Sequence, residues 1–294
     1  MGDSDTVLIR NASLEARVSL LGAELTRLAN ERVGNVLWEP DGLYWNQCSP
    51  ILFPVIGRSR NGRQRIGDRL FPMPDHGFAS FSRFEVVARD EDSCTLVLKD
   101  SSKTRKYYPF PFSLELRYAL HGESLQCLAG ISNPGSSPLP GSFGFHPGFK
   151  WPLVTKTPKS DYDLIFEEDR WLDCHRVIDG ALAADVDRIQ LVDHRLALSD
   201  ELFTQSALVA LSCRSSTIHY QERSSGTQVS ISRYGLPHLA IWTRPSARFI
   251  CVEPWHGHTR PVGFEGNLRD SPGSFLIEPG ETRSFSMTLA IHCP

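Results

Sequence analysis

The chain is short of the features that mark most specialised protein classes. Its seven cysteines, at positions 48, 94, 127, 174, 213, 251 and 293, are scattered, odd in number and without a Cys-x-x-Cys pair. That speaks against a disulfide framework and for reduced thiols, so the expected location is cytoplasmic. No apolar run approaches the roughly 20 residues of a membrane span, and the N-terminus Met-Gly-Asp-Ser-Asp has neither a basic nor an apolar leader segment. Met1-Gly2 with Thr6 formally fits a myristoylation signal, but Asp3, Asp5 and the lack of a basic patch argue against it. Charge is also nearly balanced, 31 basic against 34 acidic side chains for a net charge of -3. With no overall field to attract nucleic acid or an anionic membrane, the expected partner is a small molecule. Stretches with helical periodicity are few, and no internal repeat is evident.

What the chain does have is apolar residues, 40% of its 294 positions, and many short alternating segments. These are enough for a large core. The clearest pair is Leu114, Leu116, Tyr118, Leu120, then His121-Gly-Glu-Ser, then Leu125, Cys127, Ala129, Ile131. Period-two alternation on both sides of a short Gly-containing loop predicts an antiparallel hairpin with one buried face. Further hairpins are predicted across residues 215–231, turning near Ser225-Gly226, and across 239–252, turning at Arg244-Pro-Ser-Ala. A last strand carries Phe285, Met287, Leu289 and Ile291. Residues 6–28 read as two strands and a turn at Gly22, and the polar residues 181–200 as a long surface loop. The sum is an all-β fold, a large antiparallel β-sandwich. Residues 132–141 have a linker-like composition, yet neither half looks complete alone, so residues 1–294 are read as one domain.

Three stretches carry the candidate chemistry: Pro74-Asp-His76-Gly-Phe78, Phe143-Gly-Phe-His146-Pro-Gly-Phe149 and Phe249-Ile-Cys-Val-Glu253-Pro-Trp255. His146 and Glu253 each end an apolar run just before a proline, an arrangement that ends a strand and aims an acid/base side chain into a cleft. Taken singly, each is more simply a strand-end residue facing water. Residues 58–69 hold five arginines with Asn61-Gly62 between them. This is either a solvated hairpin tip or, at Arg58, a donor to ligand oxygens. The segment 43–57, rich in aromatics and proline, is expected to pack under the site.

The ordered set Ser49-Pro-Ile-Leu-Phe-Pro-Val-Ile-Gly-Arg58, His76-Gly-Phe78, Gly144-Phe-His146-Pro, Leu239-Ala-Ile-Trp242, Cys251-Val-Glu253-Pro-Trp255 and Pro279-Gly-Glu281 resembles the aldose epimerase (galactose mutarotase-like) family across nearly the whole chain. The resemblance implies one supersandwich with a sugar cleft on a concave face, no cofactor and no metal. It also implies interconversion of the α and β anomers of a hexose, with Glu253 as general base, His146 as general acid, and His76, an arginine and Trp242 on the substrate. Ring opening needs a base on the anomeric hydroxyl and an acid on the ring oxygen, and a carboxylate with an imidazole supplies both near neutral pH. Two positions depart from the pattern: Ser206 stands where an acidic sugar ligand is expected, and Arg58 and Arg63 fit the arginine equally well.

Three other readings compete. His256-Gly-His258 offers two imidazoles to a metal, but no acidic residue follows at ligand spacing. A non-catalytic carbohydrate-binding protein would use Trp242 and Trp255 without needing an acid/base pair. A hexose-6-phosphate mutarotase would use the arginines of residues 58–69 on phosphate.

Overall fold

The computed structural model describes residues 5–294; Met1 and Gly2 of the formal myristoylation signal lie outside them. Two large antiparallel sheets dominate. The first has nine strands in the order Arg195–Ala197, Tyr162–Phe166, Thr217–Glu222, Gln228–Tyr234, Thr282–His292, Ser124–Ser132, Ser113–His121, Ser93–Lys99 and Glu85–Arg89. The second runs Ala181–Gln190, Trp171–Ile178, Leu208–Ala210, His238–Trp242, Phe249–His256, Phe143–Phe145 and Ile51–Leu52, with Gly148–Lys150 also pairing with Phe249–His256. A four-stranded sheet is built from residues 6–35. Helical structure among the described residues is limited to short 3₁₀ turns such as Asp200–Phe203. Among the described residues no helix is long and apolar enough to cross a membrane.

The alternating segments fold as their pattern demands. Ser113–His121 and Ser124–Ser132 pair in register from Leu114↔Ile131 to Leu120↔Leu125, with the apolar set of each strand buried on one face. Thr217–Glu222 with Gln228–Tyr234, and His238–Trp242 with Phe249–His256, form the other two predicted hairpins. Between the large sheets, Phe143 stacks on Phe285 at a centroid distance of 5.0 Å and Phe149 meets Tyr220 at 6.1 Å. Side chains from Val7 to Ile291 join one apolar core.

Four expectations are corrected. Residues 6–28 hold three strands, Thr6–Arg10, Glu15–Ser19 and most of Leu25–Asn30. Residues 181–200 are not a loop: Ala181–Gln190 is a ten-residue strand pairing with Trp171–Ile178. It is polar because it forms the outer edge of its sheet, where most of its side chains face water. In the arginine segment, Asn61-Gly62 lies in a 3₁₀ turn, while the hairpin Arg63–Ile66 with Arg69–Pro72 turns at Gly67-Asp68. Finally, Pro254 does not end its strand, which continues to His256 with Leu239↔Pro254 in register. Val252 sends its N–H to the Pro147 carbonyl. By strand parity the N–H that Pro254 lacks would face the same side, toward the bend at His146-Pro147 between the two short strands.

Candidate active site

Glu253 sits in the middle of Phe249–His256, opposite Ala240, and is 1% exposed. His146 occupies the bend between Phe143–Phe145 and Gly148–Lys150, two short strands that both pair with Phe249–His256. Gly144 at the start of this bend faces Trp255, whose indole already fills the space a Cβ would take. The bend brings His146 Nε2 to 3.0 Å from Glu253 Oε2. The water-facing reading of both residues is therefore wrong: each is buried at the floor of a cleft of about 480 Å³, within the range of small-molecule sites.

His76 enters from a turn in the left-handed region, with φ 61°. Next to it Gly77, at φ 81°, allows the backbone to pass the Phe53 carbonyl, which a Cβ would strike at 2.1 Å. The turn is fastened by His76 N–H to the Gly57 carbonyl at 2.8 Å and Phe53 N–H to the His76 carbonyl at 3.2 Å. The Gly57 N–H donates to His76 Nδ1 at 3.2 Å. That bond fixes the tautomer: Nδ1 accepts, so the ring proton lies on Nε2. His76 and His146 rings meet edge to face at 5.5 Å.

Trp242, at the end of His238–Trp242, meets the His146 ring at 5.9 Å. Arg58 lines the cleft and pairs with Asp75 at 3.1 Å, both side chains more than half exposed. Arg63 does not reach it and lines a separate pocket with Arg60, Arg65 and Arg260. Ser206 lines the cleft, but its hydroxyl is committed: it accepts the Val177 N–H at 2.9 Å and donates to the Ala207 carbonyl at 3.2 Å. The bond falls where the ladder of Trp171–Ile178 shifts register between His175 and Val177. His256 and His258 lie outside the cleft, their Nδ1 atoms bonded to the carbonyls of Gly235 and Thr259.

The sequence reading missed two wall residues. Trp45 lies over His146, ring centroids 5.0 Å apart with planes at 31°; its segment was expected to lie under the site, and instead Trp45, Gln47, Pro50 and Leu52 line it. Arg244 belongs to the turn Arg244-Pro-Ser-Ala and borders the cleft without an ion-pair partner among the described residues. Nothing in the sequence separates that arginine from any other turn residue.

Burial sets the protonation of the site. It pushes the Glu253 carboxyl well above its usual range and the His146 imidazole well below its own, because each charged form loses its hydration. Both groups thus favour neutral forms at the 3.0 Å contact. His76 is likewise brought down to about 4 by burial, opposed by Asp75. Among the described residues, His146, Cys251 and Glu253 form the one group of three potential metal ligands, their donor atoms all within 4.8 Å of one another.

This geometry can be set beside known proteins. The sequence profile of the aldose 1-epimerase family matches residues 5–290. The chromosomal protein LacX of Lactococcus lactis subsp. lactis is 29% identical, covering 97% of this chain and 99% of that protein. A galactose mutarotase related enzyme from Lactobacillus acidophilus superimposes with a TM-score of 0.92 at 25% identity, covering 98% of this chain and 97% of that one. A galactose mutarotase-like protein from Lactobacillus casei gives a TM-score of 0.89 at 25% identity, with 98% and 100% covered. With a match across nearly its full length and the fold those relatives share, the chain belongs to the aldose 1-epimerase family.

Proposed function

We propose that the protein is a mutarotase-like isomerase that interconverts the α and β anomers of a hexose by ring opening and closure. One observation carries the reading: His146 and Glu253, 107 positions apart in sequence, present Nε2 and Oε2 to each other at 3.0 Å in the floor of a cleft. The hydroxyl oxygen and the ring oxygen of a hemiacetal sit on the same carbon. An acid and a base that are near neighbours suit such a pair of atoms.

In the proposed reaction the Glu253 carboxylate takes the anomeric hydroxyl proton while protonated His146 gives one to the ring oxygen. The free aldehyde turns about its bond to the rest of the sugar and the steps reverse. The pair starts and ends with one proton, so no external acid or base is consumed. A raised carboxyl pKa makes Glu253 a stronger base once ionised, and a depressed imidazole pKa makes His146 a stronger acid once protonated. Neutral His76 donates Nε2–H to a sugar oxygen, Arg58 donates to hydroxyls at the rim, and Trp242 offers an apolar face to the ring. The whole chain acts as one domain in this reading, supported by the pairing of Ser124–Ser132 with Thr282–His292 across the linker-like segment.

A phosphorylated hexose is a second reading, favoured by Arg58 and Arg244 bordering the cleft. Anomer-exchange NMR against free and phosphorylated aldoses tests both. Accelerated exchange for a hexose, lost in Glu253→Gln, is expected; no acceleration for any aldose by folded protein would leave a sugar-binding protein without this chemistry.

A further inference from the structure

Cys251 is absent from the reaction just described, yet it is the third member of the buried cluster. Cys251 and Glu253 are two residues apart on one strand and so share a face, and the bend that delivers His146 passes directly opposite, with Gly148 paired to Cys251. Gly148 lets this bend pack close to the cleft wall: a Cβ there would lie 2.6 Å from the Trp45 ring, while the Cys251 Sγ would be in ordinary contact at 3.5 Å.

Two features of the cluster are unusual for a buried polar site. Glu253 Oε2 and His146 Nδ1 have no hydrogen-bond partner, although their residues are 1% and 6% exposed. The 3.0 Å approach of Nε2 to Oε2 also lacks the alignment of a hydrogen bond. Of the two, Glu253 Oε2 faces the cluster, and a buried carboxylate oxygen without a partner is costly and open to a positive one.

We propose that His146, Cys251 and Glu253 form a binding site for a thiophilic divalent cation of the Zn²⁺ class, whose occupation takes the acid/base pair out of use. One nitrogen, one sulfur and one carboxylate oxygen are ligands zinc accepts together, and three protein ligands with one position open to the cleft make a common zinc arrangement. The thiolate selects against Mg²⁺ and Ca²⁺, which prefer oxygen alone. Bonds of about 2.0–2.3 Å space tetrahedral ligand atoms roughly 3.3–3.8 Å apart. The three donors, within 4.8 Å of one another, therefore need to close by about 1.5 Å at most. Binding displaces the thiol and carboxyl protons, and the cation takes over the charge compensation that burial denies both groups. In this arrangement the metal is a blocking ligand and not a cofactor, because it engages both groups that must exchange protons with the sugar.

The test is titration of tag-free protein with Co²⁺ and Zn²⁺, read by absorbance and calorimetry, which does not depend on the mutarotase reading. One equivalent of Co²⁺ should bind with a thiolate-to-metal charge-transfer band, and Zn²⁺ should displace it. Cys251→Ser and Cys251→Ala should abolish the band, and Zn²⁺ affinity should fall at least ~10-fold. The absence of a thiolate band in the unmodified protein, or zinc affinity unchanged in either folded variant, would overturn the assignment.

Discussion

The Trp45 indole lies tilted over the His146 imidazole, centroids 5.0 Å apart, and meets Trp242 edge-on at 5.6 Å. Together the two indoles hold the imidazole on two sides, so its direction toward Glu253 is set by packing as well as by the backbone bend. An aromatic contact of this kind is worth about 0.5–1.5 kcal/mol beyond buried area. Trp45→Ala should therefore lower kcat/KM for anomer exchange by about tenfold, and Trp45→Phe by much less, in steady-state assays.

Glu253→Gln preserves shape and removes the base of the proposed reaction. Turnover should fall about 10²-fold or more while circular dichroism and sugar binding persist. The same substitution has a stability signature. A carboxyl whose folded pKa is raised contributes stability that is complete below its unfolded value of 4.5 and is lost as pH rises. The variant should therefore be at least as stable as the parent at pH 8, and thermal melting across pH 5 to 8 checks this.

On the acid side the sign reverses. His76 is half-buried and neutral, with a pKa near 4 against 6.5 when unfolded, so its contribution is complete above pH 6.5 and lost as pH falls toward 4. Each unit below 6.5 costs about 1.4 kcal/mol, or about 2 kcal/mol by pH 5. His76→Asn tolerates the left-handed backbone and offers an acceptor to Gly57 N–H. Denaturant melts should show a smaller loss between pH 7 and pH 5 in this variant than in the parent.

Arg58 and Arg63, equivalent in the sequence, part company in the fold. If the substrate is phosphorylated, Arg58→Ala should raise KM for the sugar phosphate far more than for the free sugar, whereas Arg63→Ala should move neither by more than about twofold. Parallel KM measurements on both substrates decide the matter.

Ser206 is a fastening for the irregular strand beside the cleft. Ser206→Ala leaves the Val177 N–H without its acceptor and should cost about 1 kcal/mol in a denaturant titration.

Much of this molecule is written in its sequence, and the reason is burial on one face only. Ser113–His121, Ser124–Ser132 and Thr282–His292 each have one wet and one dry side, so a period of two survives in the residues. The motifs around His76, His146 and Glu253 were visible as polar residues set in apolar runs. Other features were not visible. Phe249–His256 is buried on both faces, which erases the alternation and made Pro254 look like a strand end. Ala181–Gln190 is an edge strand that pairs along its length only with Trp171–Ile178, apart from a single bridge from Leu182 to Pro261, so its polar side chains resemble a loop. That Cys251 shares a face with Glu253 follows from their spacing on one strand, but the 3.0 Å approach of His146 to Glu253, the choice of Arg58 over Arg63, and the presence of Trp45 beside the pair depend on which segments become neighbours. Local sequence sets how each strand presents its side chains; only the pairing of strands far apart in the chain decides which of them meet.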